Sequence, residues 1–211
     1  MERLIVIGAG GHARSVLEVL LEPGQEYEVA GVLDEQHEEI GDLYGIPLLG
    51  DIALAKELFQ SGITSAFIAS GSNSERKALS EMLSQFHFPE IISNRALVDK
   101  TATVGEGSIV MPGACLRIGA SAGRHCIINT NVCIDHESIL GDYVHVAPGC
   151  ALSGKVFLDE GVFLGTGSCV IDRVKIGKWS TVGAGGTVIK DLPANVLAVG
   201  TPASVIRENY N

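Results

Sequence analysis

Residues 98–116, VDKTATVGEGSIVMPGACL, open a stretch in which one pattern returns every six residues. Counted from Val98 in steps of six, sixteen consecutive positions are apolar, with no slip in register. These positions are Val98, Val104, Val110, Leu116, Ala122, Ile128, Ile134, Leu140, Val146, Leu152, Leu158, Leu164, Val170, Ile176, Val182 and Val188. The stretch from Val98 to Val188 therefore decides the fold of the larger part of the chain.

The position four residues after each of the first fifteen, from Ala102 to Gly186, is equally regular, because its occupant is always small or valine. A period of six matches neither the 3.6 residues of an α-helix nor the alternation of a simple strand. It is typical of a parallel β-helix, in which short strands alternate with tight turns. Three hexads would close a triangular coil of 18 residues, and about five such coils would stack on one another. A run of ordinary hairpins would break the register at its loops, and the register never breaks.

The composition of the chain excludes several classes of function. A formal net charge of −10, from 15 basic and 25 acidic residues, argues against a surface for nucleic acid or anionic lipid. The sequence contains no run of about 18 apolar residues, so it predicts no transmembrane helix. The chain enters a strand-like run directly after Met1, with no signal peptide visible. We therefore expect a cytoplasmic protein that does not insert into membranes.

All five cysteines lie in the hexad region, at positions where a small side chain is needed. Their number is odd and none forms a CxxC pair, so we expect small buried thiols and no disulfide framework or metal site. The cysteines are Cys115, Cys126, Cys133, Cys150 and Cys169. Two histidines outside the hexads, His37 and His87, are predicted to lie in solvated loops.

The first 90 residues have a different sequence pattern, in which apolar strand-like runs alternate with segments of helical periodicity. The strand-like runs are Leu4–Ile7, Tyr27–Asp34 and Ala66–Ala69, and amphipathic segments follow the first and the third. This alternation predicts a parallel sheet built from βαβ units. Residues 90–93 are predicted to form a last edge strand before the hexads begin. We therefore predict a Rossmann-like domain over residues 1–93 and a β-helix with a C-terminal tail over residues 94–211.

A glycine-rich turn, Gly8-Ala9-Gly10-Gly11-His12, follows the first strand and opens a helix. Such glycines permit a tight turn and close approach of a phosphate to the helix N-terminus. Arg14 stands where GxGxxG would place a third glycine, and a plain turn into a helix is the alternative interpretation. Asp34 ends the second strand, where a ribose-binding acid lies in such folds, and Ser70 ends the third strand on the same rim. We expect a nucleotide or nucleotide-sugar site at this edge of the sheet.

The hexad region contains a histidine beside an acid, His136-Glu137, which is a candidate for proton transfer because an acid can fix the imidazole tautomer. Asn129 lies seven residues earlier and His145 nine residues later, each nearly half a circuit of an 18-residue coil. These three side chains are therefore not expected to converge within one subunit. They would converge if a neighbouring subunit presented its own coil across a cleft.

Together these motifs resemble a known family. The hexads resemble the left-handed parallel β-helix of the hexapeptide acyltransferases. The turn at residues 8–12, Asn129, the run Asp135-His136-Glu137, His145 and the closing Gly200-Thr201-Pro202-Ala203 resemble the sialic-acid O-acetyltransferase and bacillosamine-pathway N-acetyltransferase group. The resemblance covers essentially the whole chain. The resemblance implies that the predicted β-helix is left-handed.

The resemblance implies an acetyl-CoA-dependent N-acetyltransferase that modifies the 4-amino group of a UDP- or GDP-linked amino-deoxy sugar by direct transfer. It further implies a homotrimer whose active sites lie between adjacent coils. His136 would be the general base and Glu137 its orienting partner, with Asn129 and His145 lining the transfer site. The nucleotide-sugar pocket would comprise Gly8, Gly10, Gly11, His12, Asp34 and Ser70. Acetyl-CoA would contact His145, Gly154, Thr166 and Ala184.

Two other functions stay open at this point. O-acetylation of sialic acid or of a polysaccharide sugar would use the same coil and base, with a hydroxyl group replacing the amine. A non-catalytic trimeric β-helix would serve as a scaffold and would not release thiol from acetyl-CoA. An NAD-dependent oxidoreductase is excluded, because the N-terminal region lacks a second mononucleotide-binding half.

Overall fold

The computed structural model describes residues 1–36 and 42–208. His37 lies outside these ranges, whereas His87 is exposed, as predicted. The chain divides into two compact units, Met1–Ile91 and Ile92–Asn211. We refer to the first as the α/β unit and to the second as the coil unit.

The α/β unit contains a sheet of five strands among the described residues, in the order β3-β4-β2-β1-β5. β1, β2, β4 and β5 run parallel, and only the short β3 pairs antiparallel with β4. The strands are β1 (Glu2–Ile7), β2 (Tyr27–Leu33), β3 (Asp42–Leu43), β4 (Ile46–Gly50) and β5 (Ser65–Ile68). The predicted parallel βαβ arrangement is confirmed.

Helices connect these strands. Helix α1 (Gly11–Leu20) follows β1, and a 3₁₀ turn (Ile52–Leu54) leads into α2 (Ala55–Gln60) after β4. Helix α3 (Asn73–Met82) follows β5, and the Ser72 hydroxyl caps it by accepting the Glu75 N–H. The apolar face of α1 is fully buried against the sheet because Ala13, Val16 and Leu17 recur at helical spacing.

Up to Val188, the coil unit consists of strands of two residues each, stacked in three parallel ladders. The first ladder contains β7 (Leu97–Val98), β10 (Cys115–Leu116), β13 (Cys133–Ile134), β16 (Ala151–Leu152), β19 (Cys169–Val170) and β22 (Thr187–Val188). The second contains β8 (Thr103–Val104), β11 (Ser121–Ala122), β14 (Ile139–Leu140), β17 (Phe157–Leu158) and β20 (Lys175–Ile176). The third contains β6 (Ile91–Ile92), β9 (Ile109–Val110), β12 (Ile127–Ile128), β15 (His145–Val146), β18 (Phe163–Leu164) and β21 (Thr181–Val182), and continues into β23 (Val196–Val199) and the antiparallel β24 (Ser204–Glu208).

Residues 18 positions apart pair in register throughout the coil, as Cys115 does with Cys133 and Ile127 with His145. The inward positions of the hexads form the core, and from Val110 onward they are at most 5% exposed. Buried serines at the small position satisfy the backbone. Ser108, for example, donates to Gly123 O at 2.8 Å and accepts the Cys126 N–H at 2.8 Å. The predicted parallel β-helix of the left-handed hexapeptide type is confirmed.

The third residue after each inward position turns the corner between ladders in a left-handed backbone conformation. From Gly107 to Gly185 every such residue has a φ between 53° and 73°. Half of these positions are glycine, which adopts this conformation without steric cost. Others carry side chains, among them Glu137 and Lys155, which the corner therefore projects from the edge of the coil.

The prediction of five small buried thiols is wrong for part of the set. Cys126 and Cys150 are buried, Cys115 is half-buried, and Cys133 and Cys169 are exposed. The exposed pair stand one residue before an inward position, and successive side chains of a strand point to opposite faces. All five thiols are free.

Within the described ranges, no helix is long and apolar enough to cross a membrane. In the same residues, no group of three or more His, Cys, Asp or Glu side chains could hold a metal ion.

Candidate active site

His136 lies at the corner between the first and second ladders, in the turn that joins β13 to β14. Its Nδ1 atom is 3.2 Å from Glu137 Oε2. Its backbone N–H donates to Asp135 Oδ1 at 2.7 Å, which fixes the start of the turn. If Nδ1 carries the proton and donates it to Glu137, Nε2 keeps its lone pair and can act as a base.

Gly154 occupies the position one coil above His136, and its missing side chain makes room for the imidazole. A Cβ atom at Gly154 would lie 2.4 Å from His136 Nε2, which no real contact allows. The imidazole therefore packs over Gly154 with Nε2 facing it. Gly154, predicted to contact acetyl-CoA, thus also leaves the space that the candidate base occupies.

Glu137 is shared between two partners. Its Oε2 atom contacts His136 Nδ1 and also lies 3.4 Å from Lys155 Nζ. The hydrogen bond with His136 and the charge of Lys155 both lower the pKa of the Glu137 carboxyl. The carboxylate therefore stays ionised over the physiological pH range and can stabilise a positively charged imidazole.

Asn129 and His145 meet at the third ladder. Asn129 Nδ2 is 3.3 Å from His145 Nε2, while Asn129 Oδ1 accepts the Thr130 N–H at 2.8 Å. This arrangement makes the amide nitrogen the donor and His145 Nε2 the acceptor. His145 is only 8% exposed, and its ring contacts Phe163 edge-on with centroids 5.0 Å apart.

The predicted site residues of the coil unit occupy two different corners. His136, Glu137 and Gly154 lie between the first and second ladders. Asn129, Thr166 and Ala184 lie in the turns between the third and first ladders. Asn129 and His145 were not expected to converge, yet their spacing of 16 residues is nearly a full coil and makes them neighbours.

The glycine turn and Asp34 are joined directly in the α/β unit. Gly8 has a φ of +103°, and its N–H donates to Leu33 O at 2.8 Å. The Ala9 N–H donates to Asp34 Oδ2 at 2.6 Å. Asp34, predicted as a ribose ligand, therefore also braces the turn. Gly10 and Gly11 open the helix α1, and a Cβ atom on either would meet nothing within 4 Å, so there is open space above them.

A buried arginine, which the sequence argument missed, lies behind this turn. Arg76 of α3 is 1% exposed, and its guanidinium donates to Ser70 O at 3.1 Å and to Asn73 Oδ1 at 2.9 Å. His12 has a buried Nε2 atom, and burial together with the charge of Arg76 lowers the pKa of His12 to about 4. His12 is therefore neutral at physiological pH.

The strand order places Gly8 and Ser70 at the same point of the sheet edge. The chain winds from β1 through β2 to β4 on one side, and then crosses to β5 on the other side of β1. Ligands of open α/β sheets bind where the order reverses in this way, outside the carboxyl ends of the strands. Gly8 follows β1 and Ser70 follows β5, so both lie at the reversal.

Comparison with known proteins finds one matching domain family and several similar acetyltransferases. The PglD N-terminal domain family matches residues 3–83 of the chain. A galactoside O-acetyltransferase of Escherichia coli K12 is 32% identical over 155 residues, which cover 63% of this chain and 76% of that protein. A galactoside O-acetyltransferase of Lactococcus lactis is 41% identical over 86 residues, so the match spans only 42% of that relative's length.

Solved structures match nearly the entire chain. PerB from Caulobacter crescentus, in complex with CoA and GDP-perosamine, superposes with a TM-score of 0.93 at 36% identity, covering 98% of both chains. Histidine-to-asparagine and histidine-to-alanine mutants of this perosamine N-acetyltransferase superpose equally well. The acetyltransferase domain of PglB from Neisseria gonorrhoeae, in complex with acetyl coenzyme A, has a TM-score of 0.90 at 32% identity, covering 97% of this chain and 99% of that one.

Proposed function

The chain belongs to the PglD-like family of hexapeptide-repeat sugar N-acetyltransferases, and from that premise we propose that it transfers an acetyl group from acetyl-CoA to the 4-amino group of a UDP- or GDP-linked amino-deoxy sugar. The class of reaction is that of its structural relatives, CoA-dependent N-acetylation of a nucleotide amino sugar. The observation that carries the residue-level proposal is the His136–Glu137 pair, whose Nε2 atom faces Gly154. We place the reaction in the cytoplasm.

His136 acts as the general base in this proposal. Its Nε2 atom takes a proton from the sugar amine while the amine nitrogen bonds to the thioester carbonyl carbon. The charge that develops on the imidazole is balanced by Glu137, which is 3.2 Å from Nδ1. The carbonyl oxygen becomes an oxyanion at this stage, and we place it near the backbone N–H of Gly154.

The second half of the reaction returns the proton. As the tetrahedral intermediate collapses, the carbon–sulfur bond breaks and the amide forms. The imidazolium then gives its proton to the departing thiolate, directly or through water. No cysteine needs to form a covalent acyl-enzyme, because the sugar amine attacks the thioester carbon directly.

The α/β unit binds the nucleotide part of the acceptor in this proposal. The support is the open glycine turn at the reversal of strand order, with a helix N-terminus above it. Because His12 is neutral, it acts as a hydrogen-bonding group towards the ligand. The residues assigned to this pocket are Gly8, Gly10, Gly11, His12, Asp34 and Ser70.

The active form is proposed to be a homotrimer. Asn129 and His145 pair at the third ladder, whereas His136 lies at another corner of the same coil, so one subunit does not bring all three together. A neighbouring coil would supply Asn129 and His145 opposite His136, and acetyl-CoA would lie between His145, Gly154, Thr166 and Ala184. Sedimentation at assay concentration tests this, and a catalytically active monomer would remove the proposal.

O-acetylation is the second candidate, and it is favoured by the curated relatives named galactoside O-acetyltransferases. The same base would then activate a hydroxyl group. The higher coverage and the two-unit match of the N-acetyltransferase structures favour an amine acceptor.

A free-thiol assay with acetyl-CoA and a panel of acceptors tests the proposal. The panel holds GDP-perosamine, a UDP-4-amino-4,6-dideoxy sugar, free and CMP-linked sialic acid, and a simple galactoside. We expect thiol release with one nucleotide-linked amino sugar alone. Release only with a hydroxyl acceptor would move the function to O-acetylation. Failure to bind acetyl-CoA would favour a scaffold.

A further inference from the structure

Lys155 occupies the corner position one coil above Glu137, 18 residues later in the sequence, and is bound to the candidate catalytic pair in two ways. Its ammonium group is 3.4 Å from Glu137 Oε2, the same oxygen that lies 3.2 Å from His136 Nδ1. Its backbone N–H donates to the His136 carbonyl oxygen at 2.9 Å. Lys155 and His136 therefore share one carboxylate oxygen and are joined by a backbone hydrogen bond.

We propose that Lys155 is a positioning residue that acts on His136 through Glu137, holding the carboxylate against the imidazole and limiting the negative charge that the imidazole experiences. The inference rests on the proposed function, because it concerns the same base. Lys155 itself has no contact with the reacting atoms in this scheme.

The consequence of this arrangement is electrostatic. A carboxylate beside an imidazole favours the protonated ring, and a nearby ammonium group favours the neutral ring. With Lys155 in place, Glu137 orients His136 while the ammonium group balances part of the carboxylate charge. Removing the lysine charge therefore favours the imidazolium and reduces the fraction of enzyme with a usable base at low pH.

Other charged groups surround this corner of the coil. Asp135 accepts the backbone N–H of His136 at 2.7 Å, and Arg117 stands one coil below Asp135. Two coils above Glu137, Arg173 pairs with Asp172 at 3.6 Å. Among these neighbours, the ammonium group of Lys155 forms an ion pair with Glu137 at 3.4 Å. Arg173 occupies the same corner position as Lys155 one coil further on, so it provides a matched control.

The experiment compares Lys155→Met, Lys155→Arg and Arg173→Met with the wild-type enzyme, using thiol release to obtain kcat/KM from about pH 5 to pH 9. For Lys155→Met we expect the acid limb of the profile to move to higher pH by about half a unit, the scale of an exposed ion pair. Below that limb the activity would fall by about threefold. Lys155→Arg keeps the charge, and Arg173→Met removes a charge that does not touch Glu137, so both should follow the wild-type profile.

An unchanged limb in Lys155→Met would overturn the inference, as would an equal displacement in Arg173→Met. A purely structural role would lower activity at every pH and leave the limb in place. Lys155 is 45% exposed, so the variants are expected to fold, and circular dichroism checks this. A wild-type enzyme without thiol release would instead contradict the proposed function, which separates the two failures.

Discussion

The coil unit and the α/β unit both rest on parallel strands, yet they position polar side chains by different rules. In the coil, two residues 18 apart are neighbours, so His136 lies under Gly154 and Glu137 under Lys155. In the α/β unit, Arg76 of α3 and His12 of α1 influence each other across 64 positions of sequence. A repeat converts sequence distance directly into spatial distance, whereas an α/β fold does so only through the packing of its helices.

The two units also differ in how their polar groups meet solvent. The side chains of His136 and Glu137 are 46% and 59% exposed at the edge of the coil. Arg76 is 1% exposed, and the Nε2 atom of His12 is buried. We therefore expect substitutions at the coil corner to change chemistry with little effect on folding. Substitutions behind the glycine turn should affect stability and its dependence on pH.

Replacing His136 should produce the largest effect and would test the chemical role of the coil. We expect His136→Ala to lower kcat by about 10²–10⁴-fold, because the base is lost, with little change in the KM for acetyl-CoA. Binding of the nucleotide sugar, measured by calorimetry, should be unchanged. His87→Ala, at an exposed histidine of the α/β unit, is the control and should keep full turnover. Wild-type turnover in His136→Ala would contradict the assignment.

The fold of the coil could be predicted because its signal is redundant. Each hexad has an inward aliphatic side chain and, four residues later, a small residue or valine. One exception such as Ala122 therefore does not disturb the register. The cysteines show where that reasoning failed. Cys126 and Cys133 looked equivalent in sequence, yet one is buried and the other exposed, because they stand four and five residues after an inward position.

The candidate site could be predicted only in part. The adjacency of His136 and Glu137 is visible in the sequence, and adding 18 to each number would have found Gly154 and Lys155 as their neighbours. Arg76 could not be found in this way. A helical arginine normally faces solvent, and only the packing of α3 against the sheet turns its guanidinium towards Ser70.

Two adjacent residues of one strand test the assignment of inward and outward positions in the coil. Ile176 is fully buried at an inward position, and Lys175 beside it is exposed. We expect Ile176→Ala to lower the free energy of unfolding by about 2–5 kcal/mol, because it leaves a cavity in a closed core. Lys175→Ala should change it by less than about 0.5 kcal/mol. Urea unfolding measures both, and equal losses would contradict the assignment of inward and outward positions.

The smallest expected effect concerns the α/β unit and depends on pH. Because folding lowers the pKa of His12 from 6.5 to about 4, the unfolded chain binds a proton between these values that the folded chain does not. The contribution of neutral His12 is therefore present above about pH 6.5 and is lost as the pH falls towards 4. The loss from this group is at most about 3 kcal/mol.

Comparing wild type with His12→Gln isolates this contribution, because a glutamine cannot take up the proton. The difference between their free energies of unfolding should shift in favour of the variant as the pH is lowered from 7 to 4.5. His87→Gln, at an exposed histidine, is the matched control and should follow the wild-type curve. Parallel curves for wild type and His12→Gln would mean that His12 can be protonated in the folded protein, and that burial behind the glycine turn does not keep it neutral. The nucleotide pocket would then present a titratable cation to its ligand. The polar side chains of the two units would also differ less in their access to protons than their burial indicates.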